Sequence, residues 1–461
     1  MSESVDASRL LDERGLSSFN IKLAAVCFFI VLLDGYDITA MAFAVPMLAK
    51  QWSITDASAF GPVLGASLIG MLLGAPTLGF VGDRFGRKIA IVASCLIFGG
   101  FTWVTVEATT LNTLFIFRLL AGIGIGGLLP NVIALTGEFA PRQYRATMII
   151  VMFSGAAFGG AIPGVVSNFL VPTFGWQALF HVGGAAPVIV AGLCFFLLPE
   201  SLKFLVLKGN RQEEVLKLLA VLRPDRQFAP DTSFYIGDER KQRASFSPKF
   251  LFADGLAVIT PLLWLLYVVS LMAYFFLLSW TPYLLTSANV PIQKAALATM
   301  LFQFGGAVGG WVLARPIDKM GLTPIAVLFV IAVPVTAMIG YVGSMSEPLL
   351  MLIEFVAGFC VLGIQLGLNA TAAMIYPTSI RANGSGWALG IGRVGSIVGP
   401  ILGGALIQMK LSVTVLYMLA AIPLAIGAVA SIILAVLYIR HFQGGGLGQR
   451  DEMERLAAEN K

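Results

Sequence analysis

Charge is scarce in this sequence. Lysine, arginine, aspartate and glutamate make up 12% of its 461 residues, whereas a soluble domain carries roughly 25%. That shortfall excludes an ordinary soluble globular protein. Histidine is scarcer, with only His181 and His441, and no HExxH, Cys-His or Ser-His constellation stands out, so an enzyme is not expected. The four cysteines, Cys27, Cys95, Cys194 and Cys360, all fall inside apolar stretches. Neither a disulfide framework nor a metal cluster of short ligand spacing follows from them, and no metal or organic cofactor is expected.

What the chain has in abundance is apolar length: 57% hydrophobic residues and a mean hydropathy of +0.87. Crossing a bilayer takes roughly 20 mostly apolar residues. Twelve such stretches lie near 20–45, 59–81, 89–107, 111–136, 146–169, 177–198, 256–284, 295–314, 323–343, 348–374, 384–408 and 412–438. The expected class is an all-α polytopic membrane protein of 12 transmembrane helices. The first stretch is too long for a cleaved signal peptide and lacks a clear small-residue cleavage site.

Cationic loops alternate along the chain. Arg84, Arg87 and Lys88, then Arg142 and Arg145, the 200–255 stretch, Arg315 and Lys319, Arg381 and the tail from Arg440 share one side; the other holds Lys50, Lys294 and Lys410. Positive loops stay inside, which places both termini in the cytoplasm. The net charge of +5 is therefore a topology signal, and no concentrated basic face points to nucleic acid. Short loops suit a bacterial inner membrane; the lipid bilayer is an expected partner, and a monomer is expected.

The long polar stretch divides the chain into an N-terminal six-helix bundle (1–199), a cytoplasmic linker (200–255), a C-terminal six-helix bundle (256–440) and a cytoplasmic tail (441–461). The halves repeat. Ala121-Gly122, Pro141 and Arg145-Ala146 recur at an offset of 236 as Ala357-Gly358, Pro377 and Arg381-Ala382, and the loop containing Asp83 and Gly86 recurs at 235 with Asp318 and Gly321. In six-plus-six repeats of this kind substrate binds near the midplane between halves, and access alternates by rocking.

These features carry a family resemblance. Over almost its whole length the chain resembles the major facilitator superfamily: the loop Gly82 to Lys88 resembles that superfamily's signature between helices two and three, and Arg118 to Gly126 resembles its fourth-helix motif. Gly155, Gly159 and Gly160 with Pro163-Gly164 resemble, less closely, the fifth-helix motif of proton-driven members. Asp34-Gly35-Tyr36-Asp37 is similar to the first-helix motif of the aromatic acid:proton symporters, which take up 4-hydroxybenzoate, protocatechuate, benzoate and related ring carboxylates. The resemblance implies a major facilitator fold and import of an aromatic carboxylate with protons as the coupling ion. It also implies that Asp34, Asp37, Arg118 and Arg393 serve coupling or substrate binding, with the ring substituents left open.

The residues support such roles on their own chemistry. Asp34 lies roughly 20 Å along a helix starting near Ile21, at about 1.5 Å per residue, inside a hydrocarbon core about 30 Å thick. A charge there costs on the order of 2.5 to 3.5 kcal/mol and marks a functional candidate. Asp34 and Asp37 share one helix face, where either could carry a proton; a cap or a permanent ion pair is the alternative for Asp37. Arg118 is the natural counter-ion. The repeat sets Glu354 at the position of Arg118, as a gate or second proton site. Arg393 offers a guanidinium fork for the substrate's carboxylate, or a partner for Glu354.

An aromatic ring needs flat apolar walls, and Tyr274, Phe276 and Trp280 of the seventh span provide candidates. Trp280 fits an interfacial belt equally well, and Tyr283 fits it better. Tyr36, Gln365, Asn369 and Trp387 are further cavity candidates. Asp83, Arg84, Gly86 and Arg87 lie in a cytoplasmic turn too far from the midplane to meet substrate, and read as gating residues with Glu138, Arg145 and Asp318. Two other functions compete: a carrier of another small organic anion, and a ligand sensor that moves nothing, for which the 200–255 linker is too short to hold a signalling domain.

Overall fold

In the computed structural model the described residues are 4–6, 10, 15–141, 144–208, 211–224, 226, 228–229, 232–235, 251–252, 256–342, 346–376 and 381–441. Among these described residues are twelve helices long and apolar enough to cross a membrane. They are α1 (Ser18–Gln51), α2 (Gly61–Phe85), α3 (Arg87–Val104), α4 (Leu111–Phe139), α5 (Arg145–Phe169) and α6 (Gln177–Leu197), followed by α7 (Leu256–Ser287), α8 (Ile292–Met320), α9 (Thr323–Val342), α10 (Glu347–Ile375), α11 (Arg381–Gln408) and α12 (Val413–His441). Large side chains such as Phe169 (76% exposed) and Phe196 (81%) stand on the outside. Apolar exposure of that size suits hydrocarbon rather than water.

The helices group into two compact units, one of residues 1–37, 69–159 and 180–243, the other of 38–68, 160–179 and 244–461. Within the first, glycines bring backbones together. A side chain at Gly70 or Gly74 of α2 would collide with the carbonyl oxygens of Leu119 or Ile123 in α4, and one at Gly159 of α5 with that of Leu32 in α1. The second unit repeats these contacts. Gly305 and Gly309 of α8 abut the carbonyls of Phe355 and Phe359 in α10, and Gly395 of α11 abuts that of Val268 in α7. Each of these residues is its counterpart's number plus 235 or 236, so the repeat seen in the motifs extends to the helix contacts themselves.

The second unit also contains the ends of α1, α2 and α5 on the cation-poor face. Gly61 of α2 lies against Pro400 and Gly404 of α11, Gly65 against Ile401, Gly160 of α5 against Gln303 of α8, and Gly164 against Ala296. Trp176 donates to Gln51 Oε1 at 2.6 Å. Helices from both sequence halves therefore close together on that face. This assignment of 38–68 and 160–179 cuts across the linear bundles, because it follows helix packing rather than the duplication.

In the first unit the linker forms two short helices, Leu202–Lys208 and Gln212–Leu222. Strand β1 (Ser4–Asp6) pairs in parallel with β2 (Ser233–Tyr235), and buried Arg223 donates to the Leu10 carbonyl at 2.9 Å. The chain's beginning is thus docked onto the linker.

Candidate functional site

Helix α1 carries Asp34 and Asp37 into the interior of the first unit, 4% and 0% exposed. Gly35 between them permits the approach, since a Cβ there would strike the carbonyl of Ala156 in α5. Arg118 of α4, 1% exposed, grips Asp37 through both terminal guanidinium nitrogens: Nη1 donates to Oδ1 at 2.9 Å and Nη2 to Oδ2, with a longer bond from Nη2 to the Asp37 carbonyl at 3.4 Å. Thr102 of α3 donates to the same Oδ1 at 2.9 Å. The guanidinium also lies 5.7 Å from the centre of the Phe180 ring. A buried ion pair survives desolvation only with this kind of bidentate geometry and supporting hydrogen bonds.

Tyr36, one of the cavity candidates, lies between the two aspartates within the first unit. Its ring lies against Gly183 of α6 and it is 2% exposed.

The second unit brings together another set. Tyr267 of α7 donates to Asn369 Oδ1 of α10 at 3.0 Å, and Tyr274 donates to Gln303 Oε1 of α8 at 3.2 Å. Gln365 is buried one turn before Asn369. Trp387 of α11 stacks on Trp264 at 6.2 Å. Arg393 is half-buried in α11. Two ring candidates occupy helix seams: Phe276 and Trp280 lie against Gly403, and Trp280 Nε1 donates to the Pro400 carbonyl at 2.9 Å. This geometry makes Trp280 a fastener of α7 to α11, at 0% exposure, and removes it from the interfacial belt. Glu354 of α10 is 0% exposed, and neither of its carboxyl oxygens has a hydrogen-bond partner among the described residues, so the pairing with Arg393 is not formed.

Thr102 and Gln303 were missed in the sequence. A lone threonine carries no spacing signal in an apolar span. Gln303 had a weak one, an amide inside an otherwise apolar stretch of α8.

On the cation-rich face of the first unit, Asp83 pairs with Arg87 across the α2–α3 turn, where Gly86 has φ +114°. Arg87 also donates to Asn131 Oδ1 at 3.0 Å, and Asn131 holds the carbonyls of Leu78 and Gly127 at 3.1 and 2.8 Å. Glu200 accepts from the backbone N–H groups of Lys88 and Ser201, and Ser201 donates to Glu138. Arg84 is exposed. The side chains of Arg145 and Asp318 lie outside the described residues.

Twelve spanning helices in duplicated halves, with ionisable groups sealed inside, define a membrane transport protein rather than an enzyme. The chain belongs to the major facilitator superfamily, whose sequence model matches residues 27–391 and 263–458. It is 38% identical to the 4-hydroxybenzoate transporter PcaK of Acinetobacter baylyi, over 93% of each chain. It is also 34% identical to the gallate transporter of Pseudomonas putida, over 92% of this chain and 94% of that one. Its fold is shared with the xylose transporter XylE of E. coli, at TM-score 0.66 and 18% identity, covering 90% of this chain and 97% of that one.

Proposed function

We propose that the protein imports an aromatic carboxylate of the hydroxybenzoate type together with protons, by alternating access, across a bacterial inner membrane with both termini cytoplasmic. The observation that carries this reading is the Asp37–Arg118 pair, with Asp34 three residues away on the same buried helix. The relatives' aromatic acid substrates supply the substrate class.

A proton arriving at Asp37 competes with Arg118 for the same oxygens, so protonation releases a guanidinium and loosens α1 from α4. Asp34 lies on the helix that this release frees to move. The substrate's acid group is held by Arg393, and its ring and hydroxyl substituents meet Tyr267, Tyr274, Gln365, Asn369 and Trp387. The Asp83–Arg87–Asn131 network acts at the cytoplasmic turn as a gate.

Uptake of radiolabelled 4-hydroxybenzoate into proteoliposomes tests the reading. Accumulation should require an inward proton gradient and vanish with a protonophore. It should also be lost in Asp34→Asn and Asp37→Asn, while Arg393→Lys should raise KM. Accumulation indifferent to the gradient would defeat proton coupling.

A further inference from the structure

Glu354 occupies in the second half the place Arg118 holds in the first, and it lacks what Arg118 has. It is 0% exposed, with no hydrogen bond to either oxygen among the described residues. Among the described residues of the helices packed against α10, none hydrogen-bonds to its carboxyl oxygens. Lys294 of α8 pairs with Glu347 at the start of α10, Arg315 of the same helix is exposed, and Tyr341 of α9 is exposed. Tyr267 and Tyr274 of α7 bond Asn369 and Gln303, and Arg393 of α11 makes no bond to Glu354. A bare carboxylate in such surroundings costs several kcal/mol.

One buried hydroxyl stands ready for the other state. Tyr417 of α12 is 0% exposed and close enough to Glu354 to feel a charge placed there. Its hydroxyl is engaged with Thr281 Oγ1 of α7 at 3.3 Å, and its ring is seated against Gly340 of α9. One turn before Gly340, Thr336 holds a second buried hydroxyl with no hydrogen-bond partner among the described residues.

We propose that Glu354 is a second proton-binding site, loaded in this state and emptied when the second unit rearranges. On release, the carboxylic O–H breaks and the proton passes to water on the cytoplasmic side. The Tyr417 hydroxyl then turns from Thr281 to donate to the carboxylate left behind. Reloading takes a proton from the opposite side. The proposal rests on the proton-coupled reading above and adds to it a stoichiometry: a proton carried by the second half besides that of the aspartates.

The test measures the proton-to-substrate ratio of the full chain in proteoliposomes, from the 4-hydroxybenzoate gradient that just balances a set pH gradient. Glu354→Gln should lower the ratio by about one proton per substrate; an unchanged ratio overturns the proposal. If Asp34→Asn abolishes proton movement while Glu354→Gln keeps the wild-type ratio, only the second site falls. If the wild type moves no protons, the coupled reading falls and takes the second site with it. Independently of transport, infrared spectra of the wild type at neutral pH should contain a protonated carboxylic C=O band that Glu354→Gln removes and Tyr417→Phe shifts. Should Glu354→Gln not fold, the Tyr417→Phe shift decides, and its absence also overturns the assignment.

Discussion

At equivalent places in the two halves, Arg118 clasps Asp37 from both sides while Glu354 touches no hydrogen-bonding partner among the described residues. Around these positions the helix contacts are the same: Gly74 under Ile123 and Gly309 under Phe359, Gly159 under Leu32 and Gly395 under Val268. Duplication therefore preserved the backbone seams and released the charges. A seam needs a missing Cβ at a fixed place and tolerates no change. A buried ionisable side chain projects away from the seam, so its chemistry could be rewritten without repacking the bundle.

Breaking a seam should have the largest effect and should be symmetric. Gly74→Val and Gly309→Val each push a branched side chain into a backbone carbonyl, so both should abolish monodisperse protein in size-exclusion chromatography to the same extent. A variant tolerated in one half alone would end the claim of equivalent packing.

Removing Arg118 should come next and should be asymmetric. Arg118→Met strands a buried Asp37, at a cost of about 3 to 5 kcal/mol, whereas Glu354→Met leaves no hydrogen-bond partner behind among the described residues and should cost far less; thermal unfolding of the two variants compares them directly. The smallest effect should come from Tyr267→Phe, which deletes one hydrogen bond to Asn369, worth about 0.5 to 1.5 kcal/mol. It should appear as a modest rise in KM for the aromatic acid, and an unchanged KM would remove Tyr267 from the substrate's surroundings.

Much of this was legible beforehand, for identifiable reasons. Asp34, Asp37 and Arg118 announce themselves because charge in an apolar span is expensive, and the twelve spans follow from length and composition. Trp280 shows the limit of helical spacing. Its face could be assigned from sequence, but the neighbour covering that face, the Gly403 turn of α11, could not. Thr102 was hidden because a threonine hydroxyl in an apolar helix can bond its own backbone and needs no partner, and Tyr417 because an aromatic in an apolar span reads as packing or as interfacial belt. The grouping of 38–68 and 160–179 with the second unit was not legible, because it follows helix contacts that neither span length nor the repeat specifies.

The Asp37–Arg118 pair also sets a problem for biosynthesis. Its partners are 81 residues apart, and at about 5 to 20 residues per second Arg118 is made on the order of ten seconds after Asp37. Throughout that interval α1 exists with two acidic side chains and no guanidinium. The nascent first helix must therefore wait beside the insertion machinery, or enter the lipid as a neutral acid, until α4 arrives to complete it.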